Sequence, residues 1–274
     1  MDEAFSRQVR ELASGEYSAC DISDCLLKLK VPGAGFLPDI VPLPISSFPQ
    51  SQAQDPTTAI TVAPISTVLF TPLHCPPSSS SPEEPNPGPE ASTKSNISPE
   101  THWTDLPTPH SICVIQQPPN QSCAVVGDIL ATRLKLRGVR GVVVDGRVRD
   151  LRALGRWSCG SSTTQRGGDG EGEEGGKRDE DEGFVVWSKG TSTVGSGLQA
   201  KAFAVGVRLR IGVVGVDEGD ILFADASERG VVVIPRNRLS ELLEMLPAVK
   251  AADDAVFADV EAGVSVQEAF RRHR

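Results

Sequence analysis

Two short pieces of the chain hold the residues whose types could do chemistry: Gly127-Asp128, and Arg149-Asp150 after it. An arginine presents a planar fork that matches a carboxylate or the acid end of an α-keto acid. The aspartate beside it is a hard oxygen ligand of the kind Mg²⁺ takes. If Gly127-Asp128 opens a helix, its backbone N–H groups and positive dipole end suit a carboxylate or a phosphate. One fork, one cation ligand and one N–H cradle would form a site for a small dianion. Each piece also has a purely structural use. Asp128 serves equally well as a helix cap, Arg149-Asp150 as a rim salt bridge, and Asp145-Gly146 as a turn. Lys135, in mid-helix, reads as part of a solvated face rather than as an imine-forming amine.

The elements that must position these residues are legible in the run between them. Ile129, Leu130, Leu134 and Leu136 recur near one helical face, and Gly138 closes the segment. Gly141 to Val144 is an uninterrupted apolar run, the pattern of a strand buried on both faces. Helix, short turn and buried strand together place Arg149-Asp150 just past the strand's C-terminal end. Ligands of open α/β sheets bind at that rim.

Elsewhere, residues 3–14 and 21–30 read as helices, the second capped by Ser23 or Asp24. Strands are expected at 58–70, in SICVIQQPP, FVVWSKG, DEGDILFAD and GVVVIP, with a mixed stretch through VGVRLRIGVVGV. The C-terminal part is helical, with LSELLEML starting near Asn237 or Ser240. A capping box, Ser265-Val-Gln-Glu268, precedes the last helix. Two low-complexity stretches, a Pro/Ser-rich one at 71–99 and a Gly/acidic one at 158–182, cannot build a core and are expected to be disordered insertions. The second contains GGDGEGEEGG, which has neither the Lys-Ser/Thr nor the preceding strand of a phosphate loop. Residues 1–274 then form a single α/β domain with a central β-rich core, flanking helices and two insertions.

Composition removes several function classes. A net charge of −9 without a basic stripe argues against binding nucleic acid. No apolar run reaches the roughly 18 residues needed to cross a bilayer. The opening MDEAFSRQVRELASGEYSACD has no apolar signal region, so a cytoplasmic location is expected. The six cysteines contain no CxxC pair and read as reduced thiols. With four histidines, His74 in the Pro-rich stretch and His273 near the end, a His-based triad is poorly supported.

The run from Gly127 to Asp150 closely resembles the RraA-like family, which includes 4-hydroxy-4-methyl-2-oxoglutarate aldolases and regulators of ribonuclease E. Aldolase members show an Asp, twenty intervening residues, then Arg-Asp, and Asp128 with Arg149-Asp150 repeats that spacing. CDISDCLLKLKVPGAGFLPDIVPL, THWTDL, WSKGTSTVGSG, GDILFAD, GVVVIPR and GVSVQEAF are similar to the fungal-type branch. The resemblance spans nearly the whole chain outside the insertions. It implies a swivelling β/β/α domain, trimeric or hexameric, with active sites between subunits. It also implies divalent-metal lyase chemistry on small 2-oxo acids, namely aldol cleavage and oxaloacetate decarboxylation. By position, Gly127, Asp128, Ile129 and Leu130 would hold the substrate carboxylate, with Asp128 and Arg149 catalytic. Arg149 would bind the keto-acid end, and Asp150 would hold Mg²⁺ or Mn²⁺. One departure stands out: the aldolase pattern has an acid shortly after Arg-Asp, whereas Leu151-Arg152-Ala153-Leu154 has none. The further acid expected from a neighbouring subunit would be Asp225 or Glu228. A non-catalytic interaction protein resembling the ribonuclease E regulators is the alternative.

Overall fold

In the computed structural model, residues 3–43, 60–73, 94–155 and 183–274 are described. The strands, in chain order, are β1 (Val41–Pro42), β2 (Ile60–Pro72), β3 (Ile112–Gln116), β4 (Gly141–Val148), β5 (Val185–Thr191), β6 (Ala200–Val205), β7 (Leu209–Ile211), β8 (Val214–Val216), β9 (Ile221–Asp225) and β10 (Gly230–Ile234). The helices are α1 (Glu3–Leu12), α2 (Ala19–Lys28), α3 (Asp128–Leu136), α4 (Leu151–Leu154), α5 (Leu239–Glu261) and α6 (Val266–His273). The main sheet runs β1-β5-β4-β3-β2-β9-β10, with β6 also paired to β2. The β2-β3, β3-β4 and β4-β5 pairs are parallel. A mixed α/β fold with one large sheet and flanking helices is the class expected.

The apolar run in β4 is explained by cover on both sides. Val142 and Val144 join a core with Ala131, Leu134 and Trp103, beneath α3. Val143, between them, joins a different core with Leu209, Ile211, Val214 and Val216 of the β7-β8 hairpin. Side chains alternate across a strand, so a layer on each face makes every position apolar. A third core packs α1, α2 and α5 against β9 and β10.

Several local expectations change. In α3, Ala131 and Leu134 are buried, whereas Ile129 and Leu136 are each 77% exposed. At about 100° per residue, positions 129 and 136 share one side and positions 131 and 134 the opposite one. Ala131 and Leu134, not Ile129 and Leu136, fit against the sheet. Helix α2 starts earlier than expected, at Ala19. Ser18 caps it in a reciprocal box with Asp21, in place of Ser23 or Asp24. Helix α5 does start near Asn237 and Ser240, at Leu239; it follows a 3-10 turn over Arg236–Arg238 and continues through Pro247 to Glu261. Ser265 does cap α6, accepting from the Glu268 N–H.

Both ends of the 71–99 stretch make contacts with β6. Thr71 and Pro72 pair with Lys201 and Ala200 as the end of β2. At the other end, Asn96 makes two hydrogen bonds to the Val205 backbone, as a neighbouring strand would. Residues 74–93, and the whole 158–182 stretch, lie outside the described residues.

Candidate functional site

Strand β4 delivers Arg149 and Asp150, and the segment before α3 is laid alongside them. Val125 N–H donates to Arg147 O at 3.0 Å, and Arg149 N–H donates to Val126 O at 3.0 Å. This short ladder continues the parallel pairing and brings Gly127, the N-terminal cap of α3, against the end of β4. Asp150 Oδ2 accepts from Arg149 Nε at 3.2 Å and from the Asp128 N–H at 3.3 Å. The Asp128 carboxylate accepts from the Ile129 N–H at 2.7 Å. The helix mouth is therefore already an arrangement of N–H donors facing carboxylate oxygens.

Backbone shape at the site is specific. Asp150 has φ 62° and ψ 42°, in the left-handed region. A non-glycine residue held there costs on the order of 1 kcal/mol, and such residues concentrate at functional sites. Its carbonyl oxygen accepts from the N–H groups of Ala153 and Leu154, which fixes the turn. A Cβ on Gly127 would lie 2.5 Å from Asp150 Oδ2, and one on Gly195 2.8 Å from Arg149 Nη1. A side chain at either position would force Asp150 or Arg149 to shift.

All six residues singled out in the sequence, Gly127, Asp128, Ile129, Leu130, Arg149 and Asp150, line one cavity of about 230 Å³. Gly195 and Ser196 line it too, residues whose types alone suggest no role. Their only signal was membership of WSKGTSTVGSG. They arrive because Ala124 N–H donates to Val194 O at 2.7 Å.

More distant contacts hold the two halves in place. Arg133 of α3 pairs with Asp105 of THWTDL at 2.6 Å, which holds the Asp105 carboxyl below its usual range. Gln117 Oε1 accepts from Arg147 N–H at 2.9 Å while its Nε2 donates to Cys123 O at 2.9 Å. Asp145-Gly146 is not a turn but an irregularity inside β4, where the pairing to β5 shifts between Val144 and Arg147. Because pairing resumes at Arg147, the additional residue is absorbed as a bulge. Asp145 there pairs with Lys189 at 2.6 Å.

The acid expected from a neighbouring copy needs correction. Asp225 is 3% exposed and accepts from the N–H groups of Ala19, Ser227 and Glu228, a turn-fixing role. It cannot present a carboxylate to another subunit. Glu228 is exposed.

Among the described residues no group of three or more His, Cys, Asp or Glu side chains converges. Zinc, which needs a near-complete protein ligand set, is poorly served by that donor set. Magnesium-like cations bind through one or two carboxylates, with water and substrate oxygens completing the shell. Asp150, with Asp128 lining the same cavity, fits that type.

A family model described as RraA-like (Aldolase/RraA) matches residues 20–233. The chain belongs to the RraA-like family. It is 25% identical over 148 residues to a Halalkalibacterium halodurans protein provisionally named a 4-hydroxy-4-methyl-2-oxoglutarate aldolase, a match covering 54% of this chain and 57% of that protein. It is 24% identical over 168 residues to protein DlpA of Legionella pneumophila, covering 61% of this chain and 23% of that one. The chain thus spans less than two thirds of the length of the curated relatives it matches. Among solved structures, an uncharacterized Pseudomonas syringae protein superposes with a TM-score of 0.61 at 18% identity, covering 96% of each chain. Streptomyces coelicolor RraAS2, described as an unusual member of the RNase ES inhibitor RraA protein family, superposes with a TM-score of 0.56 at 19% identity, covering 97% of this chain and 98% of that one. These likenesses show the RraA fold. The family itself holds both aldolase-type enzymes and ribonuclease inhibitors. Among the described residues, no helix is long and apolar enough to cross a membrane.

Proposed function

We propose that this RraA-like protein is a divalent-metal-dependent carbon–carbon lyase. In this reading it cleaves 4-hydroxy-4-methyl-2-oxoglutarate to pyruvate and decarboxylates oxaloacetate, in the cytoplasm. The observation that carries it is the convergence of Arg149 Nε and the Asp128 N–H on one oxygen of Asp150, inside the cavity. A scaffold for protein binding would gain from it only a rim salt bridge and a capped helix mouth.

Both reactions break the bond between the carbon α to the keto group and the next carbon, and leave the enolate of pyruvate. Arg149, tied through Nε to Asp150, keeps its Nη edge for the keto-acid end of the substrate. For the turn from Gly127 to Leu130 to receive the far carboxylate, substrate oxygens would take the place of the Asp150 and Asp128 oxygens on the Asp128 and Ile129 N–H groups. Asp150 would hold Mg²⁺ or Mn²⁺, which supplies positive charge beside the developing enolate. Arg149 adds to that stabilisation from a fixed position, and no lysine imine is required.

Ile129, at the cavity, and Leu198, beside Ser196, are 77% and 76% exposed. Large apolar side chains at the mouth of a polar site suit cover by a second copy of the chain. The assembly we propose is a homotrimer or hexamer with the site at the subunit boundary, a reading these exposed side chains support.

The test is pyruvate formation from each substrate, with Mg²⁺ or Mn²⁺ and after chelation. A second reading, a non-catalytic partner of a ribonuclease, is favoured by one observation: α4 carries no acid in Leu151–Leu154. A stoichiometric ribonuclease complex formed by a chain inert toward both substrates would select it.

A further inference from the structure

Among the described residues that line the cavity, four have polar side chains: Asp128, Arg149, Asp150 and Ser196. Ser196 is the neutral one. It is half-buried, and among the described residues its hydroxyl has no hydrogen-bond partner.

The segment that carries Ser196 is pinned on both sides of it. Ser192 N–H donates to Val148 O at 2.9 Å, and Ala124 N–H donates to Val194 O at 2.7 Å. The chain after β5 therefore follows the end of β4 and the approach to α3 together. Beyond Ser196, Gln199 Oε1 accepts from the Ser122 and Cys123 N–H groups, both at 2.9 Å. Between these pins Ser196 opens a 3-10 turn, Ser196–Leu198, closed by the Gln199 N–H donating to Ser196 O at 2.9 Å. A Cβ on Gly195 would meet Arg149 Nη1 at 2.8 Å, so the turn's entry runs against the edge of the arginine fork. Ser196 thus has a fixed place on the cavity wall.

The four side chains differ in kind. Arginine only donates hydrogen bonds and an ionised carboxylate only accepts them, whereas a serine hydroxyl does both. In the lyase reading, on which this inference rests, Arg149 takes the keto-acid end, Asp150 the metal and the helix mouth the far carboxylate. One group of 4-hydroxy-4-methyl-2-oxoglutarate is left over: the hydroxyl on C4, itself both donor and acceptor. Oxaloacetate has no such hydroxyl. Aldol cleavage breaks C3–C4, makes that hydroxyl the keto group of one pyruvate, and places a proton on the enolate carbon of the other.

We propose that Ser196 is a specificity-determining residue, whose hydroxyl recognises the C4 hydroxyl of a 4-hydroxy-2-oxo acid. Its part is recognition, which favours the aldol substrate over oxaloacetate.

The test measures kcat/KM for both substrates with Mg²⁺, in the full chain and in Ser196→Ala, after subtracting the enzyme-free rate. The ratio of the aldol value to the oxaloacetate value should fall about 3- to 10-fold, the loss of one uncharged hydrogen bond. A purely structural role for Ser196 would not move that ratio. 4-Methyl-2-oxoglutarate, which keeps the methyl and lacks the hydroxyl, serves as an inhibitor of oxaloacetate turnover, and its Ki should not respond to Ser196→Ala. An unchanged ratio would overturn the proposal, whether both rates hold or both fall together. So would a Ki that rises as the ratio falls, because packing would then explain the loss. A wild type that turns over oxaloacetate alone would overturn it and leave the lyase reading in place. A wild type inert toward both substrates would overturn the lyase reading and this inference with it.

Discussion

Asp150 and Asp128 are joined by a hydrogen bond from the Asp128 backbone N–H to Asp150 Oδ2, at 3.3 Å. The contact links the end of β4 to the mouth of α3, so the two halves of the cavity share one carboxylate. Moving that carboxylate disturbs both halves.

Asp150→Asn is the most direct change. Asparagine tolerates the left-handed backbone as aspartate does, so the fold should persist. It removes the negative charge that would hold the cation. Metal-dependent kcat/KM should fall by about 100-fold or more, with an unchanged circular dichroism spectrum. Steady-state kinetics on the purified variant checks both.

Gly127→Ala tests the close approach. The new methyl would lie 2.5 Å from Asp150 Oδ2, and alanine is tolerated at the backbone angles of Gly127. The carboxylate must therefore shift, and activity should drop by roughly tenfold or more, since small misplacements are costly. Thermal stability should change little, because the residue lies at the edge of the core. Gly127→Ala with full activity would show that the Asp150 position is not critical.

Asp105 and Arg133 give a pH signature. The Arg133 hydrogen bond lowers the Asp105 pKa in the folded chain. A carboxyl whose folded pKa is depressed contributes stability in full above its unfolded value, and loses it as pH falls through the folded value. Wild type should therefore lose more thermal stability than Asp105→Asn between about pH 6 and pH 3. Melting curves across that range read the difference, which should be small because both partners are solvent-accessible.

Much of this architecture is written in local pattern. The helix-turn-strand run from Gly127 to Val148 has a burial-on-both-faces signature, and the spacing from Asp128 to Asp150 places both at one cavity. What the pattern hides is long-range. Gly195 and Ser196 reach the site through pairing of 124 with the loop after β5, a contact across a low-complexity stretch. The bulge at Asp145-Gly146 looks like a turn locally, and only the resumed β4-β5 pairing makes it a strand. Helix α3 misleads because counting large apolar residues overlooks Ala131, which faces the sheet, while Ile129 and Leu136 face outward.

Those outward residues bear on assembly. If a second copy covers the cavity mouth, Ile129→Asp and Leu198→Asp should shift the chain from trimer or hexamer toward monomer. Activity should fall with the assembly. Sedimentation velocity at several concentrations measures the first, and assays at the same concentrations the second. A wild-type chain that sediments as a monomer would contradict the shared-site reading.

The central claim is lyase chemistry at Arg149 and Asp150, and pyruvate release from oxaloacetate coupled to lactate dehydrogenase tests it most directly. The assay is run with Mg²⁺ and then with excess EDTA, after subtracting the enzyme-free metal-catalysed rate. Metal-dependent release above that background, lost in Arg149→Ala, is the expected result. Release no faster than background, with 4-hydroxy-4-methyl-2-oxoglutarate equally inert, would contradict it.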